Sequence, residues 1–202
     1  MTQYTKCFRH FVDEWNAELS LKTPAHHTQM ADWLEKVVST PPRRGLLLAF
    51  RGGGKSSLVG LFLAWLLRKN PDMRVLVISA DERLAKKMVK NTRRIIELHP
   101  QTKDLVPKGR KEQWAGTSFT IERPGTLRDP SVSAIGLGGN ATGNRADVIV
   151  CDDVEVPRNS DTRAKREDLR EKLTELQFVL SPNGAQIFIG TPHTKDTIYK
   201  VG

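Results

Sequence analysis

The sequence predicts an α/β fold, a mostly parallel central sheet flanked by helices, with a helical segment ahead of it. Three observations predict this. Residues 45–57 read Gly-Leu-Leu-Leu-Ala-Phe-Arg-Gly-Gly-Gly-Lys-Ser-Ser, a short apolar run, a glycine loop and the first turn of a helix. Residues 74–79, Arg-Val-Leu-Val-Ile-Ser, form a continuous β-branched run, the pattern of a strand buried on both faces. Residues 147–153, Asp-Val-Ile-Val-Cys-Asp-Asp, carry a similar run onto a pair of carboxylates. Helical patterns fall between these runs, and alternation of strand and helix builds a parallel sheet.

In chain order, Phe8, Phe11, Trp15 and Leu19 recur at helical spacing, so residues 8–19 are expected as an amphipathic helix whose aromatics join the core. Pro24 interrupts the chain. A second helix is expected over residues 28–38, halted by Pro41 and Pro42, with Gln29 at its start. A glutamine upstream of a phosphate loop is placed to read an adenine edge; the competing account is a solvated side chain.

The glycine loop reads as a phosphate cradle. Without Cβ atoms, Gly52, Gly53 and Gly54 let backbone N–H groups turn toward an anion. The helix N-terminus that follows favours negative charge. Lys55 is spaced for the β and γ oxygens of a nucleotide, and Ser56, followed by Ser57, for Mg²⁺. Ala49 stands where the usual motif begins with glycine.

Past the loop, residues 58–67 are apolar almost all round, as in a helix covered on several sides. The helix expected over residues 81–98 sets Leu84, Met88 and Ile95 against Arg83, Lys86, Lys87, Lys90, Arg93 and Arg94. Such a face is either solvated or turned toward a polyanion. Strands are expected at 118–121 and 131–137, followed by a glycine-rich loop ending on Arg145.

The run at 147–153 delivers acids to a strand's carboxyl end, where open α/β sheets bind ligands. Asp152 is assigned to Mg²⁺. Hydrolysis also needs a group to orient and deprotonate water. Asp153 follows the metal acid directly and Glu155 has the longer reach; the sequence leaves both open, with Asp153 favoured. A helix is expected over 160–180, with Leu169, Leu173, Leu176 and Leu180 on one stripe. A turn at 181–184 and a buried strand at 185–189 then lead to Thr191, placed to meet the γ-phosphate or the hydrolytic water.

The formal charge is +9, and residues 83–128 hold twelve Lys or Arg against four acids, so nucleic acid is a plausible partner. Cys7 and Cys151 suggest neither a disulfide framework nor a metal cluster. The longest apolar run is about half a membrane span and no signal peptide is evident, so a soluble intracellular protein is expected.

Three strings resemble the ATPase domain of phage terminase large subunits, of the DNA maturase B type of short-tailed phages. They are Ala-Phe-Arg-Gly-Gly-Gly-Lys-Ser at 49–56, Gly-Asn-Arg-Ala-Asp-Val-Ile-Val-Cys-Asp-Asp-Val-Glu-Val-Pro at 143–157, and Ile-Gly-Thr-Pro-His-Thr at 189–194, the last followed by Ile-Tyr-Lys. The resemblance runs from Gln29 to Lys200. It implies a P-loop NTPase fold of the ASCE type, and an ATP- and Mg²⁺-dependent motor that drives double-stranded DNA into a procapsid. It also implies a homo-oligomeric ring in the host cytoplasm, working with a portal protein and a small terminase subunit.

Carried over by residue, Lys55 and Ser56 hold phosphate and Mg²⁺, and Asp152 is the metal acid. Asp153 stands where the family usually has glutamate. Thr191 falls in the motif that couples hydrolysis to movement. Arg51 lies near the γ-phosphate, and Arg145 is the candidate arginine supplied across a subunit boundary. Residues 1–202 are expected to be one motor domain, with 1–40 as a helical extension or lid, and without the nuclease domain such subunits carry. The competing readings are a helicase-like nucleic-acid-dependent ATPase and a non-hydrolysing assembly protein; a small-molecule kinase has no use for the water-activating acid.

Overall fold

The structure is a computed structural model that describes residues 7–109, 114, 116–139, 141, 143–191 and 196–199. Of the stretches singled out above, residues 192–194 and Lys200 lie outside the described ones, as do Arg110 and Lys111 of the basic 83–128 stretch and Asn140 and Thr142 of the glycine-rich loop.

Six strands form a single sheet in the order β1-β6-β5-β2-β4-β3. They are β1 (Arg44–Leu48), β2 (Val75–Ser79), β3 (Ser118–Phe119), β4 (Val132–Gly136), β5 (Ala146–Asp152) and β6 (Leu180–Gly190). All neighbours are parallel except the short edge strand β3, which runs antiparallel to β4. The register pairs Leu48 with Gly190, Ile189 with Asp152, Cys151 with Ile78, and Ser79 with Gly136. The carboxyl ends of five strands therefore share one edge. β6 lies between the strand that feeds the glycine loop and the strand that carries the acids, which is the ASCE-type arrangement.

One face of the sheet is covered by α1 (Phe8–Glu18), α2 (Ala25–Ser39), α3 (Lys55–Lys69) and α4 (Glu82–Leu98). α3 is buried continuously from Leu58 to Leu67, as its lack of a polar face requires. Phe8 meets Phe62 edge-on at 5.3 Å, and Phe11 stacks on the buried His99 at 3.6 Å, so α1 is docked by aromatics. Leu19 is exposed because α1 stops at Glu18. α2 begins at Ala25, with Pro24 as its N-cap, so Gln29 lies beyond the first turn instead of opening the helix.

The other face is covered by α5 (Pro157–Ser160), α6 (Arg163–Glu175) and the 3-10 turn Leu176–Phe178. The helix expected over 160–180 is thus divided. Thr162 accepts a hydrogen bond from the Lys165 N–H and starts a new helix, which a leucine stripe alone does not reveal. Residues 181–184 belong to β6, but the pairing moves from Ala146 with Leu180 to Val148 with Ala185. The expected turn is a bulge within the strand, with Asn183 at φ 63°. No helix among the described residues is long and apolar enough to cross a membrane.

Candidate nucleotide site

Between β1 and α3 the chain turns through the glycine loop. Gly52 and Gly54 sit at φ 81° and 71°, a region that side chains with a Cβ rarely adopt. Gly54 is the N-cap of α3 and supplies no side chain, so no capping side chain claims the first-turn N–H groups. The Lys55 ammonium is buried at the junction of β1 and β6. It donates to the Ala49 carbonyl at 3.0 Å, the Phe50 carbonyl at 3.2 Å and the Thr191 hydroxyl at 2.8 Å. Thr191 Oγ1 in turn donates to the Ala49 carbonyl at 3.2 Å. The lysine and the threonine are therefore ordered against each other.

Asp152 ends β5, and Asp153 follows at φ 46° with its N–H donating to the Ile189 carbonyl at 2.8 Å. Burial first, and then the neighbouring Asp153 charge, push the Asp152 carboxyl up to about 7, against the pull of Lys55. Asp152 Oδ1 and Asp153 Oδ1 are buried without a hydrogen-bond partner among the described residues. Two orphaned carboxylate oxygens beside an exposed serine are a donor set suited to a hard divalent cation. Ser79, at the end of β2 next to the Ile78–Cys151 pair, has a buried hydroxyl in the same unpartnered condition.

A cavity of about 480 Å³ opens here, lined by Arg51, Gly52, Gly53, Gly54, Lys55, Ser56, Ser57, Leu84, Asp153, Val156, Pro157 and Thr191. A second cavity of about 350 Å³ adjoins it, lined by Ser56, Ser57, Leu84, Lys87, Met88, Asn91, Asp152 and Asp153. Three sequence-predicted residues stand apart from this group. Glu155 lines neither cavity and is buried elsewhere. Gln29 is exposed on α2 and lines neither. Arg145 is exposed just before β5, at the opposite edge of the sheet from Asp152.

Several residues of the site were not singled out from sequence. His26 and His27, at the start of α2, both contact the Gly53 carbonyl through Nε2, at 3.3 and 2.9 Å. Asn91 of α4 donates to the Ser56 carbonyl at 3.2 Å. Arg158 of α5 reaches Asp81, the N-cap of α4, at 3.2 Å and bridges the two helices beside the cavity. Lys87 belonged to the basic face, but nothing in its spacing said that it lines a cavity with the two aspartates. The basic face itself is partly neutralised, with Lys86 paired to Glu82 and Arg93 to Glu97.

The chain is 33% identical over 189 residues to the large terminase subunit of Enterobacteria phage T3, an alignment covering 92% of the chain and 31% of that protein. The chain is a relative of phage large terminase subunits. It spans about a third of the length of that curated large terminase. The terminase likeness extends to the fold. The ATPase domain of the Thermus phage P74-26 large terminase superposes with a TM-score of 0.57 at 12% identity, covering 93% of this chain and 72% of that one. The HK97 bacteriophage large terminase gives 0.57 at 13% identity, covering 91% and 36%. Beyond the terminases, S. cerevisiae dbp5 gives 0.56 at 14% identity, covering 95% and 48%. The family model for the helicase domain of RNA cytidine acetyltransferase NAT10/TcmA matches residues 46–127.

Proposed function

We propose that the chain is the ATP-hydrolysing motor domain of a DNA-packaging terminase. The observation that carries this reading is the convergence of Lys55, Ser56, Asp153 and Thr191 on one cavity at the carboxyl edge of the sheet, with Asp152 in the cavity adjoining it. The first-turn N–H groups of α3 and the Lys55 ammonium bind the nucleotide's phosphates. Ser56 and Asp152 would hold Mg²⁺, which would neutralise phosphate charge. Asp153 orients the attacking water and takes its proton, because Asp153 lines the phosphate cavity and Glu155 does not. Thr191, held against Lys55, senses the γ-phosphate. Arg51 at the rim is assigned to the γ-phosphate, while Gln29, outside both cavities, could meet the base only beyond them.

Double-stranded DNA is the polyanion proposed for the exposed cations of α4, and a homo-oligomeric ring docked on a portal, with a small terminase subunit, is the proposed setting in the host cytoplasm. Residues 1–40 are proposed as a helical extension of this one domain. The likeness to dbp5 and to the NAT10/TcmA helicase model favours, as a second reading, a helicase-like nucleic-acid-dependent ATPase.

Steady-state ATP hydrolysis with and without double-stranded DNA tests the proposal. Lys55→Ala is expected to abolish nucleotide binding. Asp153→Asn is expected to lower kcat by roughly a hundredfold or more while leaving binding intact, the scale of losing a general base. Unchanged turnover in Lys55→Ala would remove every ATPase reading, and stimulation by single-stranded RNA alone would favour the helicase-like one.

A further inference from the structure

Glu155, the third acid of the segment, is 1% exposed, and both of its carboxylate oxygens are engaged. Oε2 accepts from the Thr197 hydroxyl, and Oε1 accepts from the Ile198 N–H at 3.3 Å. The backbone N–H of Glu155 donates to the Tyr199 hydroxyl at 3.4 Å, and the Tyr199 N–H donates back to Thr197 Oγ1 at 3.3 Å. The Tyr199 ring lies directly over Gly190. A Cβ added there would sit 2.6 Å from the tyrosine oxygen and 2.7 Å from Cζ, so only glycine allows the approach. The Gly190 carbonyl accepts the Ala49 N–H at 3.3 Å, and the next residue is Thr191, which holds Lys55.

We infer that Glu155 is a positioning residue: with Thr197 and Tyr199 it forms a latch that pins the end of β6, and with it Thr191, against the turn that carries Asp153. This rests on the reading of the neighbouring cavity as an ATPase site. The Glu155 carboxylate is buried with one donor on each oxygen and lines neither cavity of the site, so it is not placed to meet the attacking water. Its chemistry is that of a fixed acceptor. The latch joins the two segments that hydrolysis must coordinate, the acidic turn after β5 and the threonine after β6. Thr197 and Ile198 are the hydrogen-bond partners of the Glu155 carboxylate among the described residues, so loosening them loosens both segments together.

The test uses the full chain with Glu155→Gln, Thr197→Val, Thr197→Ser, Gly190→Ala and the double variant Glu155→Gln/Thr197→Val. Turnover, KM for ATP, thermal midpoint and amide hydrogen exchange are measured on each. Glu155→Gln, Thr197→Val and Gly190→Ala should each lower kcat by roughly ten- to a hundredfold, the scale of a misplaced catalytic group, with KM changed little. Thr197→Ser should restore turnover, and the double variant should be no worse than its worse parent. The amides of Ile198 and Asp153 should exchange faster in all but Thr197→Ser, because the Asp153 N–H is held by β6 at Ile189.

Full turnover in Thr197→Val alongside its loss in Glu155→Gln would overturn the latch and make Glu155 the base. If wild type hydrolyses no ATP, the ATPase reading fails while exchange still decides the latch. Faster exchange at Asp153 in Thr197→Val then supports it, and a change confined to Ile198 overturns it.

Discussion

At the residue scale, His26 and His27 matter because of the direction in which they hold one peptide plane. Both imidazoles reach the Gly53 carbonyl, so that oxygen is drawn toward α2. In a trans peptide the N–H of the next residue points the opposite way, which aims the Gly54 N–H away from α2 and toward the anion cradle. Gly54 could not be replaced without disturbing this, since an added Cβ would lie 2.4 Å from His27 Nε2 at a φ of 71°. Removing the closer imidazole by His27→Ala frees the carbonyl to turn. The loss of one hydrogen bond, about 1 kcal/mol, should weaken nucleotide affinity roughly fivefold, with His26→Ala/His27→Ala weaker still. Titration with a fluorescent ATP analogue measures this, and an affinity equal to wild type in the double variant would rule it out. That Lys55, Ser56 and Asp152 lie around one pair of adjoining cavities was legible in the sequence, because the proposed phosphate and metal chemistry demands fixed residue types at fixed spacing. The histidine pair was not, because holding a carbonyl is a task that any donor on a neighbouring helix can perform.

At the element scale, the amino ends of the strands are held by a polar cluster around Arg74, at the start of β2. Its guanidinium grips the Asp147 carboxylate of β5 at 3.0 and 2.9 Å, donates to the Ser181 hydroxyl of β6 at 3.0 Å, and lies 3.7 Å from Asp129. The Arg74 N–H also donates to Asp147 at 2.9 Å. Burial pulls the Asp147 carboxyl upward, but the hydrogen bonds from Arg74 and Ser181 outweigh it and leave the group below its ordinary value of 3.8. A carboxylate depressed in the fold contributes stability that is fully present above 3.8 and is lost as the pH falls through the lowered value. Arg74→Ala should therefore cost about 2 kcal/mol near pH 7, since it leaves a half-buried carboxylate without its partner. The deficit should narrow as the pH is taken below 3.8, which urea unfolding at several pH values reads directly. A deficit that stayed constant into acid would assign the loss to packing instead. The strands of this sheet were read correctly from their apolar runs, whereas the bulge at 181–184 and the break at Thr162 were not. Both depend on where a polar side chain finds a partner, and such pairings leave no period in the sequence.

At the scale of the whole molecule, the order of strands decides what can act on what. No local pattern encodes the strand order, because β1 pairs with a strand more than 130 residues away, and only the resemblance of whole motifs led to the ASCE-type arrangement. Arg145 and Asp152 stand at opposite ends of one strand. Arg145 precedes the seven-residue β5 and Asp152 ends it, so the two are about 23 Å apart at the usual strand rise. An exposed arginine at the amino edge cannot reach the phosphate cavity of its own chain, and it can serve that cavity only from another copy. If it does, hydrolysis needs contact between copies, and transition-state charge goes uncompensated in a lone chain. Arg145→Ala should then lower turnover strongly while leaving nucleotide affinity unchanged. Lys55→Ala should be inactive for the opposite reason, having an intact arginine and no working cavity. Mixing the two inactive proteins should restore measurable turnover, because a Lys55→Ala copy can lend Arg145 to the intact cavity of an Arg145→Ala copy. The restored activity should rise with total protein concentration as copies associate. A mixture as inactive as its components, under conditions where wild type turns over, would exclude Arg145 as the shared residue and direct the search to the exposed Arg51 at the cavity rim.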